Sequence, residues 1–306
     1  MKYTNNALNI LTARAFPKKG PAWIYNNLKG NDDIETLIQK LETHEYEFRK
    51  KRDSIESAIN KLSDSLDGIV AFGDQDFPYV RGNVKAADKP FALFYKGDIG
   101  LLKNNNLNVA VIGVLNPDEK IELTETLVTK EILKHGATIV SGLALGCDSI
   151  AHRTALDNNG KTIAILPCSL NKIIPEENTD MAKEIVEHGG LLISEYYEPA
   201  QSRNEMISRF VVRDRLQAMF SDVILLAASY AQNTEGHDSG SRHAMGKAKD
   251  YGIKRAVVYN EIKHKDNPMY ELNRQILEED HTVLRIDSTN MEEMVKKMIS
   301  KQVSLF

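Results

Sequence analysis

The residues from Ala137 to Asn178, ATIVSGLALGCDSIAHRTALDNNGKTIAILPCSLNKIIPEEN, carry the side chains and spacings with the clearest chemical use. A short apolar run, Thr138 to Val140, passes through Ser141, Gly142 and Gly146 into a helix that opens near Asp148 or Ser149. Such a strand-to-helix turn gathers backbone N–H groups and the positive end of a helix dipole in one space, and its glycines let an anion approach the main chain. Gly160-Lys161 then leads into a second strand, Thr162 to Leu166, and a polar loop ending at Pro175 and Asn178. Two such turns in tandem point to a phosphate-rich ligand. The spacing is neither GxGxxG nor GxxxxGK(S/T), and the same glycines would also serve tight packing alone.

Catalytic and metal chemistry find less support. His152 follows Asp148 by one helical turn, with the Ser141 and Ser149 hydroxyls as conceivable nucleophiles. No G-x-S-x-G elbow or third orienting group accompanies them, so His152 is expected to tie its helix to a neighbouring segment, and no catalytic residue is assigned. His237, Asp238 and His243 share the loop NTEGHDSGSRH, but its flanks are poor in ligands and no second carboxylate stands at i+4, so no metal is expected. The run Glu235 to Gly240 reads better as a glycine-rich loop for phosphate or base contact. Phe210, Tyr196 and Tyr197 offer faces for base stacking, worth roughly 1–3 kcal/mol per base; a Tyr-Tyr pair also commonly caps a sheet edge.

These residues need a scaffold, and the pattern supplies one. From Asn108 onward, apolar runs (109–113, TIVS, TIAIL, LLIS, VILLA, AVVY) alternate with helical segments over 121–135, 149–157, 180–187, 207–220 and 241–251. Continuous apolar strands separated by amphipathic helices mean a parallel sheet covered on both faces: an α/β, Rossmann-like, doubly wound domain over 108–306. Ligands of such sheets lie beyond the carboxyl ends of the strands, so the loops after 113, 141, 166, 194 and 227 should converge on one rim. Residues 1–70 read as a small all-helical module, and 71–107 as an extended lead-in packed on the main domain. ARAFPKKGPAWIYNNL in the module admits a helix-hairpin-helix-like DNA contact through Lys18 and Lys19, but lacks the Gly-x-Gly hairpin, which favours a packing module with solvated lysines.

The chain has 306 residues, 42% hydrophobic and 27% charged, enough for one large domain with a smaller appendage. Its net charge of −4 gives no global attraction to nucleic acid, so any phosphate contact must come from a local patch. The cysteines, Cys147 and Cys168, have no CxxC or Cys/His ligand spacing and read as reduced core residues. No apolar run approaches the roughly 20 residues that cross a bilayer, and the N-terminus lacks a signal h-region, so a cytoplasmic protein without membrane contact is expected.

Five segments, SGLALGCDSIAHRTAL, GKTIAILPCSL, IPEEN, GGLLISEY and RFVVRDRLQAMFS, occur in an order and at separations that resemble the motif series of the DNA processing protein A (DprA/Smf) family, over roughly Asp74 to Leu284. The resemblance implies a non-enzymatic protein that binds single-stranded DNA, forms a homodimer, uses no cofactor, and helps load a RecA-type recombinase during DNA uptake and recombination. The helical module would correspond to the family's N-terminal SAM or helix-hairpin-helix-like part. It also implies that Lys161 faces the ligand rim and that Arg213-Asp214-Arg215 stands in the place of the family's Arg-Asn-Arg. Ser239-Gly240-Ser241, followed by Arg242, resembles the Ser-Gly-Ser before the family's next helix. The first rim loop departs from the pattern: where the family carries Gly-Ser-Arg and a nearby Thr, this chain has Gly113-Val114-Leu115-Asn116-Pro117-Asp118. The expected phosphate contacts are therefore Gly113, Ser141, Gly142, Gly146, Lys161, Arg213, Arg215, Ser239, Gly240, Ser241 and Arg242. The competing structural role for Arg213 or Arg215 is an internal ion pair, for instance with Glu195 or Asp148. A nucleotide-binding sensor or nucleotide-processing domain is the alternative function, although the Pro-Gly-Gly-x-Gly-Thr signature of the similarly folded phosphoribohydrolases is absent.

Overall fold

The computed structural model describes residues 1–232 and 240–300. Four helices come first: α1 (Asn5–Arg14), α2 (Pro21–Asn27), α3 (Ile34–Leu41) and α4 (Glu45–Asn60). Their starts follow local rules. Thr4 and Asp33 accept from the amides of Ala7 and Thr36, and Pro21 occupies the first turn of α2.

Two strands follow, β1 (Gly68–Ala71) and β2 (Ala92–Gly97), and then the alternating series: β3 (Asn108–Ile112), α5 (Glu119–Leu133), β4 (Thr138–Ser141), α6 (Cys147–Asp157), β5 (Thr162–Leu166), α7 (Thr179–Glu187), β6 (Leu191–Ser194), α8 (Arg203–Met219), β7 (Val223–Leu226), α9 (Ser241–Tyr251), β8 (Lys254–Val258), α10 (Glu271–Glu279), β9 (Leu284–Ile286) and α11 (Met291–Ile299). Among the described residues the strands form one sheet in the order β1-β2-β6-β5-β4-β3-β7-β8-β9. From β6 to β9 every pairing is parallel, and β3, β4, β5 and β7 are buried along their whole length, as continuous apolar runs require. The architecture is Rossmann-like, as the alternation indicates.

The lead-in joins the main domain through its sheet. Instead of lying on the sheet, it extends it: β2 pairs antiparallel with β6, and β1 with β2, which covers the open edge of β6. The first helices share their core with this end of the sheet, where Leu8, Ile24, Phe48 and Ile59 pack with Phe94, Leu166 and Leu192. A second core, from Val109 and Val111 to Ile224 and Val257, lies under α5, α6, α9 and α11. Helix α8 begins a full turn before its expected start at Ile207. Ser202 accepts from the Glu205 amide, a Ser-x-x-Glu cap that extends the helix past the rim of the sheet.

Candidate nucleic-acid interface

The parallel strands run outward in both directions from β3, whose neighbours are β4 and β7. In such sheets a reversal of this kind puts the ligand crevice at the carboxyl ends of the two central strands, here β3 and β7. Gly113 lies at its floor. A Cβ there would stand 2.5 Å from Cys147 Sγ and 3.0 Å from the Ala228 carbonyl oxygen, so three segments meet too closely for any side chain. Ser241 Oγ, on the first turn of α9, donates to the Gly113 carbonyl at 3.1 Å. Asp118, the acid the first loop has gained, accepts from the amides of Lys120 and Ile121 and caps α5.

The turn after β4 holds an anion already, its own. The Gly142 and Ala144 amides donate to Asp148 Oδ2 at 3.1 and 3.3 Å. Gly146, with φ of +70°, makes the sharp entry into α6 that a side chain would disfavour. Ser141 is fully buried and donates to the Val111 carbonyl at 2.7 Å, so its hydroxyl serves the sheet rather than a ligand. Asn178 braces the turn from outside by donating to Leu143 O and Ser149 Oγ, both at 2.9 Å. His152 is buried with Nδ1 2.7 Å from Thr162 Oγ1, and burial, with Arg213 adding, pushes its pKa down to about 3. It stays neutral and ties α6 to β5.

Above the turn stands Arg213, 5% exposed, its guanidinium lying so close over Gly142 that a Cβ there would overlap it. Its Nη1 is 3.8 Å from Asp148 Oδ2 and its Nε 3.5 Å from Asp214 Oδ1. With the Gln217 amide oxygen turned inward, that oxygen accepts from Gly142 N at 3.0 Å and from Arg213 Nη1 at 2.7 Å. Burial raises the Asp148 carboxyl, against Arg213 and the amides. It raises Asp214 to about 7, with Arg213 opposing and Asp148 adding. A Cβ at Gly240 would lie 3.6 Å from Asp214 Oδ2, so this cluster underlies the start of α9.

Of the expected contacts, Gly113, Gly142, Gly146, Arg213, Gly240, Ser241 and Arg242 gather around the crevice; Ser239 lies outside the described residues, as do His237 and Asp238. Three expectations are corrected, the first being Ser141, whose hydroxyl is held by Val111. Lys161 precedes β5 and therefore sits at the amino edge of the parallel sheet, opposite the rim, where its Nζ donates to the His188 carbonyl at 2.5 Å. Arg215 points to the other side of α8, forks onto Glu195 with two bonds of 2.7 Å, and donates to the Asp88 carbonyl at 2.8 Å. Its charge is spent locking α8 to the lead-in. Arg209, itself paired with Glu205, lies over the ring of Tyr196 at 4.1 Å, and Tyr197 packs on Phe94 at 5.3 Å.

The competing internal ion pairs named from the sequence are present, Arg213 with Asp148 and Arg215 with Glu195, but two roles of acids were not anticipated. Asp148 was placed at a helix start but not as the acceptor of the loop amides, although an acid in a first turn is the usual sign of self-capping. Glu125 was missed entirely. It sits in the buried stripe Ile121, Glu125, Val128, Ile132 of α5, fully enclosed beside Cys147, and burial holds its carboxyl well above the usual range. A lone Glu on an otherwise apolar helical face is the signal that was available. Cys147 and Cys168 are free and buried, and burial pushes the Cys168 thiol up to about 11. Among the described residues no cluster of His, Cys, Asp or Glu is arranged to hold a metal, and no helix is long and apolar enough to cross a membrane.

Comparison with known proteins places this geometry. The sequence profile of the DNA recombination-mediator protein A family matches residues 68–296. Protein Smf of Borreliella burgdorferi is 34% identical over 213 residues, 66% of this chain and 64% of that protein. DNA processing protein DprA of Bacillus subtilis is 31% identical over 139 residues, 45% of each. The matches thus span less than two thirds of these relatives' own length. Among solved structures, DprA of Streptococcus pneumoniae superposes with a TM-score of 0.73 over 99% of this chain and 100% of that one at 22% identity, a likeness of fold. A structure giving insights into the single-stranded DNA binding mode of DNA processing protein A from Helicobacter pylori superposes with a TM-score of 0.56 at 30% identity, over 71% of this chain and 94% of that one.

Proposed function

The chain belongs to the DNA recombination-mediator protein A family, and from that premise we propose that it binds single-stranded DNA along the carboxyl rim of its sheet, through phosphates and without base readout or catalysis. The observation that carries this reading is its likeness to the Helicobacter pylori relative described by its single-stranded DNA binding mode. Because Arg213 and Arg215 are buried against acids, the phosphate contacts fall to groups at the surface of the rim. These are Arg203 on the first turn of α8, Lys172 in the loop after β5, and Arg242 with the amides at the start of α9. Asp118 does not oppose them strongly, since its carboxylate is engaged at the cap of α5. On the same premise the protein works in the cytoplasm as a homodimer that delivers strands to a RecA-type recombinase.

The test is fluorescence anisotropy of labelled oligo-dT against salt. The affinity should fall as salt rises, with a slope of about 0.7 per phosphate contact in log K against log salt, and Arg203→Ala with Arg242→Ala should lower both affinity and slope. Absent or salt-indifferent binding would overturn the reading. Thermal stabilisation by a free nucleotide but not by the oligonucleotide would replace it with the nucleotide-sensor alternative.

A further inference from the structure

The buried arginines of α8 are cancelled from within, and a second concentration of positive charge lies away from the rim. Arg209, Arg213 and Arg215 each have a carboxylate partner within 4 Å. Residues 1–31, in contrast, contain Lys2, Arg14, Lys18, Lys19 and Lys29 and no Asp or Glu, in a chain whose net charge is −4. None of Arg14, Lys18, Lys19, Lys29, Lys51 or Lys89 has an acidic partner within 4 Å among the described residues. Asp88, next to Lys89, is taken by Lys247 and the Tyr251 hydroxyl, both at 2.9 Å.

These cations are placed on aromatic rings. Lys19 Nζ stands 4.3 Å from the centroid of Trp23, Lys89 Nζ 5.4 Å from Tyr25, and the Arg14 guanidinium 6.0 Å from Phe91. Trp23, Tyr25 and Phe91 are all half-buried, and Trp23 and Phe91 pack against the core of the first helices. The pieces are joined: the Tyr25 hydroxyl donates to the Pro90 carbonyl at 2.7 Å, and its ring packs on Phe72 at 4.4 Å. The patch also meets the rim. The lead-in ties this ring to α8: Pro90, which accepts from Tyr25, lies two residues after Asp88, whose carbonyl accepts from Arg215 Nε, and Arg215 in turn forks onto Glu195 after β6.

We propose that the cation-covered aromatic residues Trp23, Tyr25 and Phe91 of the helical module and lead-in form a second contact surface for single-stranded DNA, continuous with the rim. This rests on the rim reading and adds to it a role for the first helices beyond packing. An ammonium over an exposed ring is held weakly, and base stacking on the same face is stronger. An arriving base takes the ring while Lys19, Lys89 or Arg14 swings outward to the adjacent phosphate, so each pair supplies one stacking and one ionic contact. Only an unpaired strand offers a free base face, so duplex DNA binds this surface less well.

Trp23 is the single tryptophan of the chain, which makes the surface directly observable. Oligo-dT should quench its emission in parallel with the anisotropy rise. Lys19→Ala with Lys89→Ala should reduce the quenching and lower the salt slope by about 1.4, at about 0.7 for each phosphate that a lysine no longer neutralises. These are surface substitutions, and circular dichroism verifies that the doubly substituted chain remains folded. Anisotropy that rises while Trp23 emission and the salt slope of the variant stay unchanged would overturn the second surface and leave the rim reading standing. No anisotropy change at all would overturn both. Equal quenching by polyglutamate at matched charge would assign the surface to an acidic protein instead.

Discussion

Replacing Asp214 by Asn should stabilise the protein by an amount that grows with pH. Folding moves this carboxyl from water to a buried place beside Arg213 and Asp148, and burial outweighs the arginine, so its pKa rises from 3.8 to about 7. At ~1.36 kcal/mol per pH unit, the ionised carboxylate then costs the folded chain about 4 kcal/mol above pH 7 and nothing below pH 4. The sign follows from proton counts. Between those limits the folded state keeps a proton that the unfolded state has released, so the free energy of unfolding falls as pH rises. His152 acts in the opposite direction. With its pKa lowered from 6.5 to about 3, the unfolded chain takes up a proton that the folded one refuses, and stability is lost as pH falls from 6.5 towards 3. Because the two slopes oppose each other between pH 4 and 6.5, the native chain's own curve does not isolate Asp214. The difference between Asp214→Asn and the native chain does, since His152 and Asp148 are common to both. Urea unfolding followed by circular dichroism across this range should give a small difference near pH 4 that grows to a plateau above pH 7. A difference that is constant, or that shrinks as pH rises, would refute the account of this cluster.

Three further outcomes follow from the same geometry. Gly142→Ala places a methyl group in the Arg213 guanidinium and should destabilise the chain by about 1–3 kcal/mol in urea unfolding; no loss would mean the guanidinium has room to move away. Arg215→Met leaves Glu195 buried without its partner and should cost about 3–5 kcal/mol, much of it recovered by adding Glu195→Gln. A double substitution as unstable as the single one would contradict the pairing. Lys161→Ala should leave oligo-dT affinity and its salt slope unchanged, because the lysine lies at the opposite edge of the sheet; a slope reduced by about 0.7 would return it to the path of the strand.

The scaffold was legible because its strands are uninterrupted apolar runs that alternate with amphipathic helices, a pattern that few other arrangements satisfy. The rim loops were legible for the same reason. What periodicity could not give was direction along the sheet and pairing within it. Lys161 was placed at the ligand rim by family resemblance, yet a residue that precedes a parallel strand is necessarily at the amino edge, and topology alone would have excluded it. Arg213 and Arg215 are two positions apart and so leave α8 on nearly opposite sides, one over Gly142 and the other towards Glu195 and Asp88. Arg213 has one acidic partner inside Arg-Asp-Arg, Asp214, while Asp148 and Glu195, the ion-pair partners the sequence also suggested, come from segments 65 and 20 residues away, and only the fold decides between pairing and ligand contact.

That internal pairing bears on how a chain of net charge −4 would hold a polyanion. At physiological salt the field of an exposed charge is screened within about 8 Å, so distant acids on the surface matter little and the groups within one Debye length of the strand decide the outcome. Around Gly142 those groups are Arg213 with Asp148 and Asp214, a set that carries no net positive charge while both acids are ionised. Protonation of Asp214 near neutrality turns the same set one unit more positive, so the crevice should favour anions more as pH falls below 7. On the proposed second surface, Arg14, Lys18, Lys19 and Lys89 form no ion pair among the described residues, and their charge does not change near neutral pH. If both surfaces hold one strand, its affinity therefore has a pH-dependent part that Asp214→Asn abolishes and a pH-independent part that Lys19→Ala with Lys89→Ala removes.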